Sequence, residues 1–289
     1  MSGDNFFKDI KWRKIGNNDK DIFPVQDMLR DLENNYVSAC ARFLTRNPQK
    51  DPVWILTGKN PALIINNRST LLPVFCGLTD IPKPKFLKNF SLFNKVHSIQ
   101  GLKEEVILLE DTMSLFGNKI SDKFDYDLMS LDYLSCRKLF SGKSSSDLVL
   151  RIPTMSDLDA LAPLQAAYEH EEVMHKGSVF SPAASRVNLA NIIKNGKILS
   201  AQVNGRLVGK INVSGTSFTN YLIGGVFVHP DFRGRGIARQ MTADFITSLT
   251  ADGKSVTLFV KKTNIAARNL YIKLGFSLKG DYRITYFYD

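Results

Sequence analysis

The sequence predicts an α/β (α+β) protein, with a mixed, mostly antiparallel sheet flanked by helices and preceded by a smaller α+β domain. Three observations carry this. Short runs rich in β-branched and aromatic residues alternate with stretches of helical periodicity along the whole chain. A small, polar stretch, Phe140-Ser141-Gly142-Lys143-Ser144-Ser145-Ser146-Asp147, divides the 289 residues near the middle. The run from Tyr221 to Phe276 reads strand, tight glycine turn, helix, strand, helix. The expected organisation is an N-terminal α+β domain over 1–140, a linker over 141–147 and a second domain over 148–289.

In the first domain, Val25, Met28, Leu29, Leu32, Tyr36, Val37, Ala41 and Leu44 predict a helix over 22–46, ended by Pro48 and Pro52. Strand-like runs follow at 53–57, 62–66 and 70–75. Gly58-Lys59-Asn60-Pro61 and Asn66-Asn67-Arg68 supply the turn chemistry of a small antiparallel meander. Pro82 and Pro84 punctuate a loop. A strand at 96–99, a helix at 102–116 with Val106, Leu109, Met113 and Phe116 on one face, and a strand at 124–131 complete the domain.

The second domain opens with a strand at 148–153. A helix capped by Ser156 or Asp157 runs from there to about Met174. Pro182 interrupts the path, and a second helix spans 183–195. Asn204-Gly205 turns a hairpin between strands at 198–203 and 207–213. The central strand, Tyr221 to Val228, is closed by Pro230. A strand at 256–260, a helix at 266–274 and strands near 276–278 and 282–288 follow.

The glycine turn holds the chemistry. In His229-Pro230-Asp231-Phe232-Arg233-Gly234-Arg235-Gly236-Ile237-Ala238, two glycines and two arginines stand at the start of a helix whose Ile237, Met241, Phe245 and Leu249 face a core. The first N–H groups of a helix have no internal partner and carry partial positive charge. Glycines allow close approach and positive φ. The turn is therefore an anion site suited to a pyrophosphate. No Lys-Ser/Thr follows the glycines and no G-x-G-x-x-G is present, so it is neither common nucleotide loop. Gly142-Lys143-Ser144 lacks the upstream glycine and strand such a loop requires.

This stretch resembles the acetyl-CoA loop of the GNAT acetyltransferase superfamily, Arg/Gln-x-x-Gly-x-Gly/Ala, with Arg233, Gly236 and Ala238 in register. Downstream, Asn264, Ala267 and Tyr271, followed by Gly275-Phe276, are similar to the family's later helix, Asn-x-x-Ala-x-x-x-Tyr, then Gly-Phe. The resemblance covers the C-terminal half. It implies the GNAT sheet, acetyl-CoA as cofactor and N-acetyl transfer to a primary amine by direct attack in a ternary complex. The backbone of Val226, Phe227 and Val228 is then expected to pair with the pantetheine arm and to splay from the strand at 257–260. The loop residues Arg233, Gly234, Arg235, Gly236, Ile237 and Ala238 meet the pyrophosphate, and Asn264 and Arg268 add cofactor contacts. Tyr271 is the expected general acid to the CoA sulfur. The order helix, meander, strand, helix, strand in the first domain echoes the second, which leaves two readings: a degenerate GNAT-like relative without a glycine–arginine loop, or a small unrelated α+β domain.

The sequence departs from the family where many members carry a strand glutamate as general base, for residues 220–228 hold no carboxylate or histidine. The run Tyr168-Glu169-His170-Glu171-Glu172-Val173-Met174-His175 offers substitutes, with Glu172 the candidate catalytic residue and an acidic mouth the expected attraction for a cationic amine. His170 and His175 point about 140° apart on a helix, so they do not share a metal, and no metal site is expected. Gly224 and Gly225 leave room for an acceptor or mark a bulge.

Composition fits these expectations. Hydrophobic residues make up 44% of the chain and charged residues 23%. The three cysteines lack metal or redox spacing, which predicts a reducing, cytoplasmic setting, and no membrane span or signal segment is expected. The +10 net charge divides as 17 basic against 11 acidic residues in 147–289 and 21 against 17 in 1–146, a diffuse excess. A small-molecule or peptide amine is the expected partner and a membrane is not, while the charge alone leaves open a nucleic-acid acceptor, aminoacyl-tRNA. The rival reading is a non-catalytic acyl-CoA-responsive binding module.

Overall fold

The computed structural model describes residues 11–16, 20, 22–57, 62–81, 96–139 and 147–288. The turn expected at 58–61, the Pro82–Pro84 loop and residues 141–146 of the expected linker lie outside them. The chain forms two compact units, Met1–Asp127 with Lys279–Asp289, and Leu128–Leu278. These bounds differ from the break expected at 141–147. Composition marks flexible chain, whereas a compact unit is bounded by where strands find partners.

The elements run β1 (Trp12–Ile15), α1 (Ile22–Asp31), α2 (Glu33–Thr45), β2 (Val53–Leu56), β3 (Ala62–Asn67), β4 (Thr70–Val74), β5 (Ser98–Leu102), α3 (Lys103–Leu115) and β6 (Ile120–Leu131). Then come α4 (Tyr133–Arg137), β7 (Leu148–Arg151), α5 (Leu158–Tyr168), a single π-helical turn (Glu169–Val173), α6 (Pro182–Lys194), β8 (Ile198–Val203), β9 (Arg206–Thr216) and β10 (Asn220–Val228). The chain finishes with α7 (Ile237–Leu249), β11 (Ser255–Lys261), α8 (Ile265–Lys273) and β12 (Ser277–Phe287).

In the first unit, β2, β3 and β4 form the expected antiparallel meander, and β1, which the sequence reading passed over, pairs with β2. The expected helix over 22–46 is two helices. Leu32 leaves helical geometry between them, and Tyr36 (φ −120°, ψ 30°) kinks the second. The kinked Tyr36 donates its hydroxyl to Glu105. Strands β4 and β5 run parallel for only two residue pairs, Thr70↔Ser98 and Leu71↔Ile99. Trp12, Ile64, Leu71, Phe75, Ile99, Leu109 and Met113 are buried together as this unit's core.

Tyr282–Tyr286 of β12 pair antiparallel with β5, so the last strand belongs to the first unit. A charged network fastens it. Arg283 Nε and an Arg283 terminal nitrogen donate to the two Asp125 oxygens at 2.7 and 3.2 Å, and Lys103 Nζ lies 2.8 Å from the same carboxylate. Thr285 donates to buried Glu110, which Lys123 pairs at 2.7 Å. The two-pronged Arg283 contact, with Lys103 beside it, lowers the Asp125 carboxyl to about 2.

In the second unit, β7 to β11 follow the sheet order β11-β10-β9-β8-β7. All pairs are antiparallel except β10 with β11. Helix α7 packs Ile237, Met241, Phe245 and Leu249 onto Ala201, Val208, Ile211 and Ile223 on one face. Each such buried side chain contributes roughly 1.5–3 kcal/mol. On the other face α5 and α6 bury Leu161, Leu164, Leu189 and Ile193 with Phe227 and Ile198.

Of the two expected caps, Asp157 is the N-cap residue of α5, but its side chain does not cap that helix: it closes a capping box with Thr154 on the short turn before it, and Arg151 grips it from β7. Pro182, expected to interrupt the path just before the second helix, is that helix's first residue. It stands at the first position behind the capping Ser181, where its missing N–H costs nothing.

Asp125→Asn should cost the first unit about 1–2 kcal/mol near neutral pH. The folded carboxyl is depressed, so the wild type's contribution is complete above about pH 4 and is lost as pH falls toward 2. Urea titrations at pH 7 and pH 2.5 read this as two stability curves that converge in acid.

Candidate active site in the second unit

Strand β10 follows β11 only from Asn220 to Leu222, three residue pairs. From Ile223 to Val228 it pairs only with β9, so the two parallel strands part as the splay expectation requires. A bulge lies at this opening. Gly224 faces Asn212 and Phe227 faces Lys210, which leaves Gly225 and Val226 outside the ladder. Gly225 has φ +60°, and a Cβ there would overlap the Asn212 amide oxygen and lie 2.7 Å from Lys210 Nζ. Only glycine fits that position. Of the two readings given to Gly224-Gly225, the bulge is what the strand forms.

Beyond β10 the chain turns at His229, whose Nδ1 accepts the Asp231 N–H, and enters the glycine turn. Gly234 and Gly236 both have φ +77°, and nothing lies within 4 Å of a Cβ built on either. Gly236 is the N-cap of α7 and Gln240 makes the helix's first backbone bond to it, so the N–H groups of residues 237–239 precede that bond with no side chain at the cap to take them. Gly234, Arg235 and Gly236 are exposed, while the side chains of Ile237, Phe227 and Val228 are buried. Those three can therefore meet a ligand only through their backbone.

The arginines brace the turn. Arg233 Nε donates to Val228 O at 3.0 Å, its terminal nitrogen pairs with Glu171 at 2.8 Å, and the guanidinium lies 5.3 Å from the Phe227 ring centroid. Arg235 donates to Asp231 O and packs on Phe232.

Helix α8 sets Asn264, Arg268 and Tyr271 on one face at four- and seven-residue spacing. Asn264 Oδ1 caps the helix by accepting the Ala267 N–H at 3.1 Å, and its Nδ2 donates to Glu172 at 3.0 Å. Arg268 is half-buried on the next turn. Tyr271 is buried, with its ring edge-to-face on Phe276. Burial, then the charge of Tyr168 and of Glu172, raise its hydroxyl above the ordinary phenol range, so it stays protonated at neutral pH.

The run from Tyr168 to Val173 gathers these parts. Glu171 holds Arg233, and its backbone carbonyl accepts from Lys261. Glu172 lies between Asn264 and Lys261, 3.5 Å from the latter. Gln165 donates to Glu169 at 2.7 Å. The three carboxylates expected to form an acidic mouth are thus each engaged within the protein. His170 stacks on Phe180, and His175 bonds the neighbouring Lys176 carbonyl. Single π turns of this kind often sit at functional sites.

Two residues beside the opening were not singled out from the sequence. The Tyr168 ring lies 4.7 Å from Lys210 Nζ. Lys210 is fully buried in the middle of β9. A lysine inside the apolar run Leu207–Ile211 was the available signal. Among the described residues, no group of three or more His, Cys, Asp or Glu side chains is gathered to hold a metal.

With this geometry in hand, residues 164–276 match the Acetyltransferase (GNAT) family, and the second unit carries a domain of that family. An acetyltransferase of Pectobacterium atrosepticum is 39% identical over 79 residues, 26% of this chain and 54% of its own length. The chain thus spans about half of that curated relative. A solved Drosophila protein matches with a TM-score of 0.63 at 12% identity, over 95% of this chain and 98% of its own. A tandem GNAT protein from the clavulanic acid biosynthesis pathway matches with a TM-score of 0.56 at 12% identity, over 96% of this chain and 98% of its own. At such identities these two matches establish a shared fold.

Gly236→Ala should cost about 1–2 kcal/mol, the strain of a left-handed residue with open space around it. Gly225→Ala should cost at least ~1 kcal/mol more, because the new methyl also meets Asn212 and Lys210. Urea denaturation of the two variants side by side reads the difference.

Proposed function

We propose that the second unit is an acetyl-CoA-dependent N-acetyltransferase acting on a primary amine. The observation that carries this reading is the opening between β10 and β11, with the uncapped glycine turn at one end and buried, protonated Tyr271 beside it. Exposed glycine backbone at the head of α7 fits a pyrophosphate, and the unpaired edge of Val226–Val228 fits an extended amide arm. Acetyl-CoA supplies the thioester whose acetyl group is transferred.

The chain's own residues do the rest. The backbone N–H groups at the start of α7 hold phosphate, with Arg235 and Arg268 adding positive charge. Arg233 keeps the turn against β10. The acceptor nitrogen forms its bond to the acetyl carbon as the carbon–sulfur bond breaks. Glu172 takes the acceptor's proton through water, and Tyr271 gives its hydroxyl proton to the departing thiolate. The first unit acts as a degenerate relative without cofactor. Its β4–β5 ladder also ends after two parallel pairs, and just beyond β4 Glu105 accepts the N–H groups of Phe75 and Cys76. The sparse, free cysteines support a cytoplasmic setting, and among the described residues no helix is long and apolar enough to cross a membrane.

The engagement of Glu172 by Asn264 and Lys261 favours the second reading, an acyl-CoA-responsive module without turnover. CoA-thiol release from acetyl-CoA with a panel of primary amines separates the two. Binding without release supports the module.

Acetyl-CoA and CoA should raise the melting temperature while ATP and NADH do little, since only a ligand of the native state stabilises it. Stabilisation by ATP alone would overturn the assignment. Tyr271→Phe should lower kcat with acetyl-CoA affinity nearly unchanged, because only the proton donor is lost. Gly236→Val should stay folded on its intact apolar stripe yet bind acetyl-CoA at least ~2–3 kcal/mol more weakly by calorimetry, the scale of several charge-assisted hydrogen bonds. Arg233→Ala should be milder, because the backbone donors remain.

A further inference from the structure

Lys210 is a charged residue type where the fold offers no charge partner. Its side chain is fully buried. Its Nζ lies 3.1 Å from Gly225 O, 3.4 Å from Asn212 Oδ1 and 4.7 Å from the Tyr168 ring centroid. Among the described residues, no carboxylate lies within ion-pairing distance of it. The groups facing it are the Gly225 carbonyl from β10, the Tyr168 ring and the more distant Glu169 charge from the α5 side, and Asn212 on its own strand. Burial lowers the amine to about 7, and Glu169 only partly opposes this.

The Gly225 carbonyl, which belongs to the peptide joining Gly225 to Val226, accepts a hydrogen bond from Lys210 Nζ at 3.1 Å. A trans peptide points its C=O and the following N–H in opposite directions. With Gly225 O held by Lys210 Nζ, the Val226 N–H faces away from that amine, at the bulge where β10 has already left the β11 ladder.

We infer that Lys210 is a positioning residue for acyl transfer: by holding the Gly225 carbonyl, it aims the Val226 N–H into the opening between β10 and β11 as a hydrogen-bond donor for a carbonyl oxygen on which charge develops. This rests on the acetyltransferase reading above. A donor fixed before reaction needs no reorganisation when charge appears, and losing one such donor typically costs a hundredfold or more in rate. Lys210 acts one step removed through the peptide, so its loss should cost about tenfold or more in kcat while leaving the phosphate contacts of α7 untouched.

The test is Lys210→Met, which keeps the length and removes a buried amine that lacks an ion-pair partner. It should fold and be no less stable than wild type at neutral pH. In 15N–1H spectra of the full chain without ligand, the wild-type Val226 amide should titrate with a midpoint near 7. The Met variant should lose that titration. Lys210→Gln, which keeps an N–H donor without the charge, should hold the amide near its wild-type position without titrating. With acetyl-CoA and a panel of primary amines, Lys210→Met should lose about tenfold or more in kcat at unchanged acetyl-CoA affinity, and Lys210→Gln should recover part of it. A Val226 amide indifferent to Lys210, or full turnover by Lys210→Met, overturns the role given to Lys210. Wild-type protein that neither binds nor consumes acetyl-CoA overturns the acetyltransferase reading instead.

Discussion

Strand β10 must satisfy two neighbours with unlike demands. Toward β9 its ladder continues to Val228, while toward β11 it ends at Leu222. A strand leaving one partner exposes N–H and C=O groups, and these are costly in a half-buried sheet unless something takes them. The bulge at Gly225-Val226 is how β10 accommodates this, and only a glycine at Gly225 tolerates the conformation and the crowding. The glycine turn, α7 and the approach of α8 are all placed by where β10 goes after the bulge.

The second organising feature is the segment Tyr168–Val173. From one helical turn and one π turn it reaches Lys210 of β9 through Tyr168, Arg233 through Glu171, and Asn264 through Glu172. It thus ties the strand, the glycine turn and the α8 cap to one short stretch of chain. Its carboxylates act first as internal partners. Two of them neutralise lysine and arginine side chains beside the opening, so the local field is far milder than three neighbouring glutamates suggest.

The first unit repeats part of this plan with a different filling. Its β4–β5 ladder also ends after two parallel pairs, but the N–H groups just beyond β4 are taken by Glu105, to which Tyr36 donates. Burial raises the Glu105 carboxyl to about 7 despite these bonds. In the second unit the corresponding strand end leads instead into an exposed glycine turn.

The sequence by itself determined the elements and the chemistry that depends on local backbone. The periodicity of Ile237, Met241, Phe245 and Leu249, the Asn204-Gly205 turn, the left-handed glycines before α7 and the Asn264 cap all follow from residues within a few positions of one another. Such signals survive in one dimension. The tertiary structure decided what depends on partners far apart in the chain. Lys210 reads as a strand residue and Tyr168 as part of a helix until β9, β10 and α5 bring Lys210 Nζ to 3.1 Å from Gly225 O and 4.7 Å from the Tyr168 ring. Glu172 reads as a free carboxylate until Asn264 and Lys261 arrive across about ninety residues. The C-terminal strand joins the first unit because Arg283 finds Asp125 and Tyr282–Tyr286 find β5, and no composition shift announces a pairing made across more than 150 residues.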